Sequence, residues 1–343
     1  MRSFILPLLS ISILITVHEA RANDSAAEQA AGGLELVEAA DVAMKREDLT
    51  ITPDRIDVHY VFENESDEDQ TLTVAFPLPP IEGDLAMTPL ELPVAEVANF
   101  VGFTVSVDGR MIRPAVEERA FVGDREVTQE LQRLRIPLNP MAAAVSDALA
   151  GLGKKDYARL EKAGIVTERD MASGLWRYEV RFHWEQTFPA HREVVVDHRY
   201  RPVRGSYFVD RYSLEEDPDY AAKYCVDAGT RKALRNLILQ AAKDLLAEDP
   251  DNNANLNDDP MSALGYSVVV PYILTTANNW AGPIGTFHLT IDKGAPTNIV
   301  SLCRDGIKKT GPTRFEWSAT NFSPKRDLLV LFAAKDAAAF GLQ

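Results

Sequence analysis

The sequence predicts a mostly β protein made of β-sandwich-like lobes of antiparallel strands with inserted helices, an α+β arrangement being the alternative. Three observations carry this. Residues 54–64 and 175–186 alternate apolar and polar side chains strictly. Residues 266–334 break into short β-rich runs separated by Gly, Pro, Asn and Asp, the pattern of an antiparallel meander. Only three stretches show helical spacing, 141–149, 155–163 and 230–248.

Taken in order, residues 1–22 read as an export signal. Arg2 provides the positive start, 4–17 carry no charge, and Ala20-Arg21-Ala22 is a small-x-small cleavage site before Asn23. The apolar run is too short for a comfortable membrane span, and no later stretch approaches that length. After a small Ala-rich leader (25–33) and a strand over 44–51, Ile56, Val58, Tyr60 and Phe62 share one face of a half-buried strand. A turn follows, and 71–76 returns as its partner, closed by Pro77-Leu78-Pro79-Pro80. Residues 100–107 and 111–113 form a hairpin about Asp108-Gly109, a strong tight-turn signal.

Residues 116–174 read as a helical insertion, either a lid over a site or a long crossover. Asn139 caps its first helix, Pro140 lies in the first turn, and Gly151 and Gly164 close the two helices. In 175–186, Trp176, Tyr178, Val180, Phe182 and Trp184 face one way, and Arg177, Glu179, Arg181, His183 and Glu185 the other. In the next strand, 193–201, Val194, Val196, His198 and Tyr200 form the apolar face. Residues 212–224 read as an acidic loop. The amphipathic helix 230–248 presents Ala233, Leu234, Leu237, Ile238, Ala241, Ala242, Leu245 and Leu246 along one side. The expected organisation is therefore a signal (1–22), an N-terminal β lobe (23–210) carrying the insertion, and a C-terminal lobe (211–343) of one helix and the meander.

The chain carries a net charge of −15, and removing Arg2, Arg21 and Glu19 with the signal leaves −16. Such a surface disfavours nucleic acid and anionic lipid, and no basic stripe with interleaved aromatics is expected anywhere in the chain. Two cysteines in an exported chain, Cys225 and Cys303, point to one disulfide tying the start of the late helix to the end strands.

The order of motifs is also informative: GGLEL, then ITPDRIDVHYVFENES, VAFPLP, QTFPA at 186–190, HRYRPVRG at 198–205, Cys225, and finally YILTTANNWAGPIGTFHLTID with SLC. This order resembles a bacterial exported family described as domain of unknown function 4424, over nearly the whole mature chain. The resemblance implies a Gram-negative periplasm and brings no activity with it.

Candidate site residues are few. Trp280 with Asn278 and Asn279 sits in a rigid polar turn and either recognises a ligand at a loop tip or folds back to plug a sandwich end. His183, Glu185, His191 and His198 lie within sixteen residues and include metal-binding side chains. Alternation, however, puts His183 and Glu185 on a polar face and His198 on an apolar one. The acidic run 249–259 alternates oxygen ligands, but Ala254 and Pro260 stand where a calcium loop needs Gly and Glu. No nucleophile elbow, dinucleotide fingerprint or phosphate loop occurs, so neither catalysis nor a cofactor has sequence support. The expectation is a periplasmic binding or envelope-assembly module that takes a small ligand or another envelope protein. A hydrolase or metal-dependent enzyme built on 183–198 is the alternative.

Overall fold

A computed structural model of the chain describes residues 25–30, 33–83 and 90–342. The expected signal, 1–22, lies outside them. The architecture is three β-sheets with helices at the periphery, so the mostly β expectation holds.

The first sheet has the order β10 (Arg125–Glu126), β9 (Ala115–Val122), β11 (Arg177–Phe188), β5 (Gln70–Pro77), β1 (Ser25–Ala30) and β2 (Gly33–Val37). The second, with eight strands, runs β17 (Lys308–Lys309), β18 (Arg314–Phe322), β15 (Ile284–Asp292), β3 (Val42–Ile51), β4 (Ile56–Asn64), β12 (Glu193–Tyr200), β7 (Thr104–Val107) and β8 (Arg110–Ile112). The third runs β16 (Ile299–Ser301), β19 (Leu328–Ala334), β14 (Gly265–Tyr272), β13 (Arg204–Val209) and β6 (Leu90–Glu91).

The eight-stranded sheet is the wall against which the other two pack. Its inner face carries the period-two row Ile56, Val58, Tyr60 and Phe62, all buried. On one side Phe76 and Trp184 of the first sheet meet His198. On the other, Tyr272 of the third sheet meets Tyr60. The third sheet is covered on both faces. Val268, Val270 and Tyr272 join the main core, while Val269, Leu331 and Ala333 pack under α6 (Ala228–Glu248). That helix is capped by Asp227, whose carboxylate accepts the Thr230 N–H. Of its predicted apolar face it buries Leu234, Leu237, Ile238, Ala241 and Ala242, while Ala233 and Leu246 are half-buried and Leu245, in the last turn, is exposed. The disulfide Cys225–Cys303 is formed, with its Cα atoms 5.1 Å apart, and ties the entry to α6 to the β16–β17 loop. Among the described residues no helix is long and apolar enough to cross a membrane.

Four local expectations change. Residues 266–334 do not form one meander, because their strands alternate between sheets: β14, β16 and β19 in the third, β15, β17 and β18 in the second. The insertion begins with a strand, β9, before its helices α1 (Thr128–Arg133), α2 (Ala144–Ala150) and α3 (Lys154–Lys162). The Ala-rich leader supplies the hairpin β1–β2. The acidic stretch 212–224 is helical, α4 (Arg211–Glu215) and α5 (Pro218–Tyr224). Asp210 and Asp217 accept the first backbone N–H groups, and Pro218 opens the second helix.

Candidate functional site

A pocket of about 960 Å³ opens where the β3–β4 turn, β6, the β12–β13 link, the β15–β16 loop and the C-terminal turn converge. Each segment is held by local chemistry. In the β3–β4 turn the Thr52 hydroxyl donates to the Asp54 carboxylate (2.8 Å) and accepts the Arg55 N–H (2.9 Å). Arg55 in turn pairs with Asp57 at 2.7 Å. Arg204 staples three walls together. It donates to Glu91 (2.9 Å) on β6, to the Pro53 carbonyl (3.2 Å) and to the Phe340 carbonyl (2.5 Å). Lys293 is 6% exposed and donates to the carbonyls of Pro296 and Asn298, which locks the β15–β16 loop. Burial, aided by the Lys309 charge, pulls its pKa down.

One cation in this pocket is left over. Arg201 follows β12, is exposed, and its guanidinium makes no hydrogen bond or ion pair with any described residue. The backbone beneath it is fixed by the Arg201 N–H donating to the Val101 carbonyl at 2.9 Å. A rigidly based guanidinium facing a polar cleft can hold a carboxylate or phosphate through two parallel hydrogen bonds. A smaller cavity of about 440 Å³ lies between α2 and residues 167–175, and no charged side chain lines it.

The core itself contains a second polar feature. Glu47 is fully buried on β3, and its carboxylate accepts from Tyr272 at 3.1 Å, while the Tyr272 and Tyr60 hydroxyls lie 3.1 Å apart. Burial, with the Glu47 charge, raises the pKa of Tyr272 and Tyr200, keeping both phenols protonated as donors. His198 sits edge-on to Tyr60, Phe76, Phe103 and Trp184, with centroids 4.9–5.7 Å away, and burial pushes its pKa down to about 3. It is a neutral core imidazole.

The structure does not bring the other histidines to His198. Trp184 touches it, so His183 and Glu185, on the opposite face of β11, point away. His191 lies in the β11–β12 turn, its Nε2 2.8 Å from the Asp67 carboxylate. Among the described residues no group of three or more His, Cys, Asp or Glu is placed to hold a metal ion. Trp280 is 3% exposed and packs on Phe62 (4.6 Å) and Phe188 (5.9 Å), the plugging position. Asn278 and Asn279 donate to the Pro324 carbonyl and the Ser25 hydroxyl, fixing the turn that carries it. Sequence reading missed Arg201. The signal was its place just after a strand and before Pro202, where the chain leaves the sheet.

The chain belongs to the family described as Domain of unknown function (DUF4424), whose model matches residues 22–331. No curated protein matches it. A solved structure from Legionella pneumophila subsp. pneumophila str. Philadelphia 1, described as a "putative nutrient binding protein", covers 91% of this chain and 70% of its own. Its TM-score is 0.47 at 14% identity. An M1 zinc metallopeptidase from Deinococcus radiodurans covers 86% of this chain and 43% of its own, with a TM-score of 0.27 at 7% identity. At these scores neither likeness carries an argument about activity.

Proposed function

We propose that the protein is an exported binding module of the cell envelope, whose cleft holds a small polar ligand through an anionic group. The observation that carries this reading is Arg201, the cation in the wall of the 960 Å³ cleft that the fold leaves unused. Everything around it is already committed: Arg204 to Glu91 and two carbonyls, Arg55 to Asp57, Lys293 to its own loop. A pocket of this size with mixed polar and apolar walls and one available fork of donors suits recognition rather than bond making. Export rests on the signal-like residues 1–22 and fits a disulfide-bonded chain.

Native mass spectrometry of protein purified from a bacterial periplasm tests both parts. The expected result is a chain starting at Asn23 that carries a small anionic adduct. Arg201→Glu should lose the adduct while keeping the wild-type melting temperature within about 2 °C, because the side chain has no partner to leave behind. An adduct retained by that variant would place the ligand elsewhere. A wild-type mass with no adduct, in preparations incubated with periplasmic extract, would count against the cleft as a ligand site.

A further inference from the structure

At the far edge of the eight-stranded sheet, residues 304–326 carry six cations, Arg304, Lys308, Lys309, Arg314, Lys325 and Arg326, against the two carboxylates Asp305 and Glu316. This reverses the sign of a chain whose net charge is −15. None of the six makes an ion pair with a described carboxylate, although cations elsewhere pair freely. The expectation that no basic stripe carries interleaved aromatics fails here. The Arg304 guanidinium stacks over Trp317 at 4.3 Å and also lies 5.3 Å from the Phe322 ring, and Lys309 lies over Phe315.

The geometry keeps these charges together. β17 and β18 form a hairpin, and the flanking loops are joined because Arg326 donates to the Cys303 carbonyl at 2.5 Å. Arg304 is held against its neighbour Arg326, and burial together with that repulsion lowers its pKa. The Arg304 Nε is buried without a hydrogen-bond acceptor. A guanidinium stacked on an indole, incompletely hydrogen-bonded and beside a like charge, gains from an incoming carboxylate. The backbone offers a second handle, since the ladder on the outer side of β18 pairs only Phe315 and Glu316, leaving the strand's remaining length without a β partner on that side among the described residues.

We propose that this hairpin edge is a docking surface for an acidic, extended polypeptide segment of a partner protein. The segment would run beside β18, its carboxylates meeting Arg304, Arg326, Lys308 and Lys309 and its backbone extending the sheet. A long nucleic acid or a lipid plane fits less well, because either would also meet the strongly acidic remainder of the molecule. None of the six cations lines the cleft, although Lys309 lies close enough to Lys293 in its wall to lower that pKa, and the proposal does not depend on what the cleft binds.

The test uses the full mature chain and a dye-labelled ten-residue peptide of alternating Glu and Val, followed by fluorescence anisotropy. Binding should weaken at least tenfold between 50 and 300 mM salt, as expected for exposed charges. The double variant Lys308→Glu/Lys309→Glu should bind at least tenfold more weakly with an unchanged melting temperature, and Arg304→Gln at least fivefold. Lys232→Glu/Lys243→Glu, on exposed positions of α6, should bind as wild type does. A peptide of the same charge broken by two central prolines should bind several-fold more weakly. Equal loss in the α6 variant, or equal binding of the proline peptide, would overturn the proposal. So would tighter binding of a ten-nucleotide single strand or of phosphatidylglycerol vesicles, lost on the same hairpin variants.

Discussion

His198 shows how completely a residue's chemistry is set by what surrounds it. An imidazole with an ordinary pKa near 6.5 is held at about 3 by burial. Below pH 6.5 the unfolded chain takes up a proton that the folded chain refuses until about pH 3. The stability contributed by keeping this ring neutral is therefore fully present above pH 6.5 and is lost as pH falls towards 3, at about 1.4 kcal/mol per pH unit. His198→Phe, which keeps a ring among Tyr60, Phe76, Phe103 and Trp184, should flatten the acid limb of stability. Urea midpoints measured from pH 7 to pH 4 should change less in the variant than in the wild type, and parallel curves would assign the acid sensitivity to another group. The face of His198 was legible, since Val194, Val196 and Tyr200 alternate with it. Its neighbours were not, because Phe76 and Trp184 come from two other strands and Phe103 from the loop entering β7, and no local pattern links them. Arg201 was hidden for a related reason: the sequence shows 36 basic residues but not which of those lining the cleft the fold leaves without a partner among the described residues.

Among the elements, the seam between β3 and β15 joins early and late parts of the chain inside one sheet. It is a parallel pairing, Thr286 to Ile291 against Arg46 to Ile51. Beside its start, β3 bulges between Met44 and Arg46, and a Cβ placed on Gly285 would lie 2.6 Å from the Lys45 carbonyl oxygen. Backbone, not a mobile side-chain tip, would have to move. Gly285→Ala should therefore cost about 1–3 kcal/mol, whereas Gly311→Ala, where the nearest atom is 3.7 Å away, should stay within about 0.5 kcal/mol. Denaturant midpoints of the two variants compare them directly, and a neutral Gly285→Ala would mean that the bulge yields easily. Strands such as β4, β11 and β12 were legible because one face of each is buried and period two survives. β9 was not. Only Ala120 of its eight residues is buried, and its charges are taken up by cross-strand pairs such as Arg181 with Glu117. α5 carried its signal in plain sight, Asp217-Pro218, but the surrounding acidic composition masked it.

For the whole molecule, the order of strands along the chain and their order in space diverge. Reading along the sequence suggests lobes meeting near residue 210, yet β13 and β6 from before that point lie in the third sheet beside β14. From after it, β15, β18 and β17 extend the second sheet beyond β3. Strand partners are chosen by non-local pairing, which leaves no mark in a single sequence. The consequence is energetic. The main core draws Tyr60, Phe76 and Trp184 together with Tyr272, Phe287 and Phe332, so neither part of the chain can expose its interior without exposing the other's. The disulfide, closing 78 residues, adds about 4 kcal/mol in the chain-entropy view and fastens the α6 layer to the same unit. A chain this long would ordinarily unfold in steps. Interleaved sheets predict instead one endotherm in scanning calorimetry, with the calorimetric and van't Hoff enthalpies in agreement. Reduction of Cys225–Cys303 should lower that endotherm without splitting it. Two separable transitions would mean that the pairings β3–β15 and β13–β14 open before the sheets they join, and that the lobes are the true units of stability.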